Sequence, residues 1–217
     1  VRAMAPYWSE QWGNPSSRQN RLGLTASAAV NLARRTLAEA LAVKPEQIVF
    51  TSGATEANNI ALLGRARRCG APGHVISVRS EHHAVLDPLA QLQREGFRIT
   101  LLQPGSDGLI TPDQLLHALR PDTLLVSVMA ANNEIGVLQP LKAFSALCRP
   151  RGITLHSDAA QAFGHIPFHP DALGLDLVSL SAHKLYGPKG IGALVVGVGV
   201  ELDPLQWGGG QEHGLRP

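Results

Sequence analysis

One short apolar stretch decides the fold of this chain: residues 124–129 read Leu-Leu-Val-Ser-Val-Met. Successive side chains of a strand point to opposite faces, so a strand made of these residues has two apolar faces. Two apolar faces are typical of a parallel strand covered by helices on both sides. The sequence therefore predicts an α/β layered domain.

The same alternation of short apolar strands and helical patterns continues along the chain. A turn-rich loop over residues 1–24 precedes a helix that starts at Thr25, capped by Thr25 or Ser27. A second helix follows residues 52–55 and runs through Ala66, and others are predicted near 84–94, 112–119 and 140–149. Strands are predicted at 48–51, 74–78, 98–102, 124–129, 153–157 and 177–181. The last strand, 191–196, follows too closely for a crossover helix, so we expect it to run antiparallel.

The composition limits the function classes. The chain has 217 residues, 44% apolar and 17% charged, which suits one domain or one and a half and argues against disorder and coiled coils. A net charge of +2 without an extended basic patch argues against nucleic-acid binding. No apolar stretch reaches the ~18 residues of a membrane helix. Cys69 and Cys148 lack the spacing of a disulfide or metal site, so we expect no metal and a cytoplasmic location.

Polar side chains follow five of the predicted strands. Sheets of this kind bind ligands beyond the carboxyl ends of their strands, so these residues are candidate site residues. Any one of them taken alone is better explained as a helix cap or a satisfied loop. Five strand ends that meet at one edge favour a binding site. The residues are Ser52–Thr55, Glu81–His83, Asn132–Glu134, Asp158 with Gln161, and Ser181 with His183 and Lys184.

The stretch Ser52–Glu56 is a turn of small residues that opens a helix. Free backbone N–H groups and the helix dipole favour an anion at such a position. The stretch has neither the lysine of a Walker loop nor a dinucleotide fingerprint. We interpret it as a cup for a phosphate monoester, and an ordinary N-cap with a tight turn is the alternative.

Lys184 lies directly after an apolar strand and before a Gly-Pro turn. A lysine held there can form a Schiff base, and a salt-bridged surface lysine is the alternative. Ser181 and Lys184 also match a serine-nucleophile pattern, but its partner motifs are absent from the sequence. Asp158 ends the preceding strand, where a buried carboxylate requires a cation. A lysine, a carboxylate for the ring nitrogen and a phosphate cup are the requirements of pyridoxal 5'-phosphate (PLP), which is therefore the predicted cofactor.

Six motifs resemble the cysteine desulfurases of aminotransferase class V, in the PLP fold type I superfamily. They occur in the order TSGATE (51–56), EHHAVL (81–86), NNEIG (132–136), HSDAAQ (156–161), SAHKLYGPKG (181–190) and GGGQE (208–212). The resemblance implies a three-layer α/β/α large domain with a mainly parallel sheet and one antiparallel strand. The residues of the first and third motifs resemble those of the family branch that serves iron–sulfur cluster assembly and tRNA thiolation.

The resemblance also implies an activity and its residues. The family converts L-cysteine to L-alanine and leaves the sulfur as a persulfide on an enzyme cysteine. Lys184 and His82 would be catalytic, with Lys184 moving protons on the substrate carbon and His82 stacking over the cofactor ring. The implied cofactor-binding set is Asp158 at the ring nitrogen, Gln161 at the phenolic oxygen, Asn133 facing cofactor and substrate, and Ala54, Thr55, Ser181 and His183 at the phosphate.

By the same resemblance, both ends of the chain look cut. We expect a connecting segment at 1–20, the PLP-binding large domain at 21–200, and a segment at 201–217 that leads toward a C-terminal small domain. That small domain would carry the nucleophilic cysteine and an arginine for the substrate carboxylate, so the fragment alone is expected to be inactive. Cys69 and Cys148 are interpreted as structural thiols. The implied partners are a second copy in a homodimer and a sulfur-acceptor or scaffold protein.

Two other interpretations stay open from the sequence. One keeps the cofactor but changes the reaction, as in another class V aminotransferase or lyase. The other is a non-catalytic, truncated paralogue that uses this domain as an interaction surface. The complete set Lys184, Asp158, His82 and Gln161 argues against the second, because clustered titratable groups mark functional sites.

Overall fold

The computed structural model describes residues 2–217, and Val1, the first residue of the predicted connecting segment, lies outside the described residues. The chain divides into two compact units, residues 1–48 and 49–217. Within the described residues, no helix is both long and apolar enough to cross a membrane.

The first unit is built around one long helix. Its elements are α1 (Pro6–Ser9), α2 (Arg21–Leu41) and a 3₁₀ turn at Pro45–Gln47. The N-cap of α2 is Asn20, whose side chain accepts a hydrogen bond from the backbone N–H of Gly23 at 2.8 Å. The predicted start at Thr25 is therefore wrong. The asparagine satisfies an N–H of the first turn, which lets the helix begin earlier despite Gly23.

Within the described residues, seven strands form one sheet: β1 (Ile48–Thr51), β2 (His74–Val78), β3 (Arg98–Leu102), β4 (Thr123–Ser127), β5 (Thr154–Asp158), β6 (Leu177–Ser181) and β7 (Gly192–Val196). Their order across the sheet is β1-β7-β6-β5-β4-β2-β3. The strands from β3 across to β6 pair in parallel, and β7 pairs with β6 antiparallel. The predicted fold, a mainly parallel sheet with one antiparallel strand, is confirmed.

The second unit also carries the remaining helices. α3 (Ala54–Asn59) continues through a π-helical turn (Ile60–Gly64) into α4 (Arg65–Arg68), which makes one helix over 54–68. The others are α5 (His83–Arg94), α6 (Pro112–Ala118), α7 (Leu141–Cys148) and α8 (Pro170–Leu173), with 3₁₀ turns at Arg149–Arg151 and Ala182–Leu185.

Most predicted strands have the predicted bounds. Four do so at both ends, and the predictions at 124–129, 153–157 and 191–196 differ by one or two residues. The apolar run at 124–129 predicts an end of β4 two residues too late, because Val128 and Met129 stay buried after the strand has ended. Burial extends beyond the paired backbone there, so hydrophobicity alone does not mark the last residue of the strand.

Burial follows the position of each strand in the sheet. Every residue of β2, β5 and β6 is buried, whereas the edge strand β3 is partly exposed. The helix over 54–68 covers the face of β5 that carries Thr154 and Asp158, since Arg65 and Asn58 donate hydrogen bonds to them. The packing fixes the start of this helix beside the carboxyl end of β5.

Candidate active site

A cavity of about 470 Å³ lies at the carboxyl ends of the strands. Its walls are formed by residues that follow β1, β2, β4, β5 and β6. The structure brings together all nine side chains predicted as site residues: Ala54, Thr55, His82, Asn133, Asp158, Gln161, Ser181, His183 and Lys184 line this one cavity. Parallel strands place their carboxyl ends at one edge, which is why residues far apart in the sequence meet here.

The segment between β1 and α3, residues 52–55, forms one end of the cavity. Gly53 has φ +155°, a conformation that residues with a side chain rarely adopt. Ala54 and Thr55 open α3, so their backbone N–H groups have no acceptor within the helix. This segment is called the phosphate cup below, because free N–H groups at a helix start suit an anion.

Lys184 lies in the 3₁₀ turn that follows β6. The turn ends at Tyr186, which adopts a left-handed conformation with φ +59°. Ser181 and His183 at its start are hydrogen bonded to each other, Oγ to Nδ1, at 2.8 Å. The abrupt change from strand to tight turn exposes three polar side chains to the cavity within four residues.

Asp158 is the last residue of β5 and is 7% exposed. Its Oδ1 accepts from the N–H of Ala160 at 2.9 Å, and its Oδ2 accepts from Asn58 Nδ2 at 2.7 Å. Burial raises the pKa of this carboxyl, and the two hydrogen bonds and the charges of His82 and Lys184 only partly oppose the rise. An added cation would stabilise its ionised form.

His82 is the N-cap of α5, and its Nδ1 accepts from the N–H of Ala84 at 3.0 Å. An accepting Nδ1 carries no hydrogen, so in the neutral ring the proton lies on Nε2. Asn133 and its neighbour have different tasks. Asn133 lines the cavity, whereas Asn132 Oδ1 accepts from the N–H groups of Glu134 and Ile135 and shapes the turn.

Two residues outside the predicted candidates, Asn58 and Lys189, and one candidate residue, Glu81, contribute to this region. Asn58 holds Asp158, and its only sequence signal is a poor helix former inside a helix. Lys189 lines the cavity and could have been found from the scarcity of lysine, since the chain has four. Glu81 lies buried away from the cavity walls, with Oε1 accepting from Met129 N at 2.6 Å.

The two cysteines lie away from the cavity walls. Cys148 is buried in α7, and burial raises the pKa of its thiol to about 12. Cys69 is exposed at the end of α4, and its Sγ lies 2.9 Å from Arg65 Nη1. A thiol with so high a pKa is a poor nucleophile at neutral pH, so Cys148 is chemically inert there.

The lining residues fit PLP. Asp158 forms no ion pair within residues 2–217, and a protonated ring nitrogen would supply the cation that this buried carboxyl lacks. Lys184 supplies an amine for the aldehyde, and the phosphate cup supplies N–H donors. The volume lies in the range of small-molecule sites.

Comparison with known proteins identifies the family. The aminotransferase class-V family matches residues 1–215. The chain belongs to the class-V aminotransferases. A cysteine desulfurase IscS from Aeromonas salmonicida is 52% identical over 208 residues, which are 94% of this chain and 52% of that protein. A probable mitochondrial cysteine desulfurase from Schizosaccharomyces pombe is 49% identical over 217 residues, 99% of this chain and 43% of that protein.

Solved structures of similar fold agree with this placement in the class-V family. A structure described as SspA in complex with cysteine has a TM-score of 0.96 at 41% identity, and the match covers 99% of this chain and 62% of the SspA chain. A NifS-like protein has a TM-score of 0.96 at 37% identity, and the match covers 100% of this chain and 60% of the NifS-like chain. The PLP fold type I architecture is confirmed. The chain spans about half the length of the curated relatives it matches.

Proposed function

We propose that this chain is the large-domain part of a PLP-dependent cysteine desulfurase. The observation that carries the proposal is the convergence of Lys184 and Asp158, from the ends of neighbouring strands, on one cavity. The relatives named cysteine desulfurase and the fold neighbour in complex with cysteine support L-cysteine as the substrate. The products are L-alanine and a sulfur atom held as a persulfide on an enzyme cysteine.

Each cofactor contact is assigned to a residue of the cavity. When bound, PLP supplies an electron-withdrawing ring that stabilises negative charge on the substrate carbon. Asp158 would hold the ring nitrogen and Lys184 the aldehyde. The others are Gln161 for the phenolic oxygen, Asn133 beside cofactor and substrate, and Ala54, Thr55, Ser181 and His183 for the phosphate.

Two side chains carry the proton transfers in this proposal. Lys184 removes and returns protons at the substrate carbon. His82 covers the ring face, and because its Nε2 carries the hydrogen while its Nδ1 accepts from the N–H of Ala84, it takes up a proton only at Nδ1. That uptake breaks the N-cap hydrogen bond of α5, and the doubly protonated ring then donates a proton from Nε2.

The remaining parts of the proposal concern the whole protein. The large domain is assigned to residues 21–200, with 1–20 as a connecting segment and 201–217 leading toward the small domain. The persulfide cysteine lies in the small domain, since Cys148 is buried and Cys69 lies away from the cavity walls. The protein acts as a cytoplasmic homodimer that passes sulfur to an acceptor or scaffold protein for iron–sulfur cluster assembly or tRNA thiolation.

The proposal is tested with the full-length protein and its Lys184→Ala variant. The unmodified protein should develop a visible absorbance band with PLP and release alanine from L-cysteine. Lys184→Ala should lack the band and lose at least about a thousandfold of the rate, because one residue holds the cofactor and moves the proton.

Lys142→Ala is the matched control, since Lys142 lies on α7 away from the cavity walls, and it should behave as the unmodified protein. Equal bands in the unmodified protein and Lys184→Ala would refute the assignment of the lysine. A normal band without alanine release from cysteine would refute the desulfurase reaction.

A further inference from the structure

The residues Glu212–Arg216, called the C-terminal turn here, close on themselves. The backbone N–H of Glu212 donates to the carbonyl of Arg216 at 3.0 Å, and the N–H of Leu215 donates to the carbonyl of Glu212 at 3.0 Å. These bonds bring the first and last residues of the turn side by side. Their side chains can therefore act on one neighbouring segment.

That segment is the phosphate cup with its flanking residues. Glu212 Oε2 accepts from the backbone N–H of Phe50 at 2.8 Å, on the β1 side of the cup. Arg216 Nε donates to Glu56 Oε1 at 2.7 Å, on the α3 side. The cup is therefore held at both of its ends by one turn from the far end of the chain.

Glu56 bridges Arg216 and the phosphate cup. Its second carboxylate oxygen, Oε2, accepts from the backbone N–H of Ser52. One carboxylate thus joins the Arg216 guanidinium to the first residue of the cup. The pairing fixes Ser52 relative to the start of α3, where Ala54 and Thr55 present their N–H groups.

Burial makes these contacts stronger than ordinary surface pairs. The Glu56 side chain is 18% exposed and that of Arg216 is 34% exposed, while Glu212 is buried. Burial acts to raise the pKa of Glu56, but the hydrogen bonds from Ser52 and Arg216 outweigh it and lower the pKa overall. Charge-assisted hydrogen bonds of this kind are stronger than neutral ones, so they can hold a loop in one geometry.

We propose that Arg216 and Glu212 are positioning residues for the phosphate cup: they set the affinity for the phosphate group of the cofactor without touching it. This inference rests on the proposed PLP site. An anion cup binds well only if its N–H groups already point at one place, because ordering the loop on binding would cost affinity.

The test compares PLP with pyridoxal, which lacks the phosphate group, in the full-length apoprotein. Binding is measured by trapping the cofactor on Lys184 with borohydride and quantifying the adduct by mass spectrometry, which also registers weak pyridoxal binding. Arg216→Gln should bind PLP about tenfold more weakly, equal to about 1.4 kcal/mol, and pyridoxal within about twofold of the unmodified protein. Arg216→Lys keeps the charge and should lose about threefold for PLP.

The matched control is Arg67→Gln. Arg67 also forms an ion pair with one carboxylate, that of Glu95, at 2.6 Å, but away from the cavity walls, so PLP binding should not change. An equal loss of affinity for PLP and for pyridoxal in Arg216→Gln, or no loss of affinity for either compound, would overturn the positioning role. If Arg216→Gln does not fold, the same comparison in Arg216→Lys decides. Failure of the unmodified protein to bind either compound would instead refute the proposed function.

Discussion

At the scale of single residues, two buried carboxyls near the cavity, those of Asp158 and Glu81, differ in how strongly their surroundings stabilise the ionised form. Asp158 accepts hydrogen bonds from two donors, Asn58 and Ala160. The charges of His82 and Lys184 also favour its ionised form. Glu81 has a single donor, Met129 N, and its Oε2 has no hydrogen-bond partner within the described part of the chain. The surroundings therefore favour the ionised form of Asp158 more than that of Glu81, and burial favours the protonated form of Glu81.

Glu81→Gln tests this assignment through stability. Burial first, and the Asp158 charge second, raise the pKa of Glu81 well above 4.5. Glu81 ionises near pH 4.5 in the unfolded chain and only at a higher pH in the folded chain, so the unfolding free energy of the unmodified protein falls as the pH rises above 4.5. Glutamine does not ionise, so the variant should match the unmodified protein near pH 4 and exceed it by more than about 1 kcal/mol at pH 7, measured by urea unfolding.

Glu134→Gln serves as the control, because Glu134 is exposed and should show no such difference. A Glu81→Gln variant that is less stable than the unmodified protein at pH 7, but not at pH 4, would show that Glu81 is ionised in the folded state. The charge would then not rest on Asp158 alone.

The residues of the candidate site were largely predictable because they follow strands. Asp158 and Lys184 stand directly after apolar runs, where a parallel sheet forms its ligand edge. Asn58 was not predictable, because its contact with Asp158 depends on which face of the helix over 54–68 meets β5. Sequence spacing defines a helix face, but tertiary packing decides what that face touches.

At the scale of elements, two histidines link neighbouring strands inside the sheet. His156 of β5 lies between Ser127 Oγ at 2.8 Å and Ser179 Oγ at 3.0 Å, on β4 and β6. His74 of β2 bonds the hydroxyls of Thr123 and Thr100 in the same way, each at 2.8 Å. Burial is the main cause that lowers the pKa of His156 to about 3 and that of His74 to about 4.

His156→Gln tests the link between the strands. Below the usual pKa of 6.5 the unfolded chain takes up a proton at this histidine, and the folded chain does so only near pH 3. The unmodified protein should therefore lose stability as the pH falls through this window, by up to about 1.4 kcal/mol per pH unit from this residue. The variant should be less stable at pH 7 and should have a shallower dependence between pH 6 and pH 4, measured by urea unfolding.

His117→Gln is the comparison for that experiment, because His117 is exposed on α6 and should leave the slope unchanged. An unchanged slope in His156→Gln would mean that His156 takes up its proton without opposing the fold. The strand contacts would then not depend on the neutral ring.

At the scale of the whole molecule, the phosphate cup is shaped by contacts between distant segments. β7 passes so close to the cup that a Cβ at Gly192 would lie 2.6 Å from the Cα of Gly53, and it would also collide with the carbonyl of Leu180. The cup thus lies against β7, which runs antiparallel to β6. Its geometry depends on a residue more than a hundred positions later in the chain.

Gly192→Ala should displace the cup. We expect at least about tenfold weaker PLP binding and a lower unfolding temperature, because backbone atoms on both sides leave no room for a methyl group. The measurements are cofactor titration and thermal unfolding of the full-length protein. Gly210→Ala is the control, since a Cβ there meets nothing within 4 Å. Unchanged PLP affinity in Gly192→Ala would show that the cup does not depend on this contact.

The sequence by itself determined the layered α/β fold, because apolar runs such as residues 124–129 that alternate with helical patterns are typical of parallel strands covered on both faces. It also determined which side chains meet at the ligand edge, since they follow those runs directly. Tertiary structure alone decided that Glu212 and Arg216 hold the phosphate cup, that Asn58 supports Asp158, and that β7 presses on Gly53. Those contacts join segments far apart in the chain, and local sequence patterns carry no information about which distant surfaces pack together.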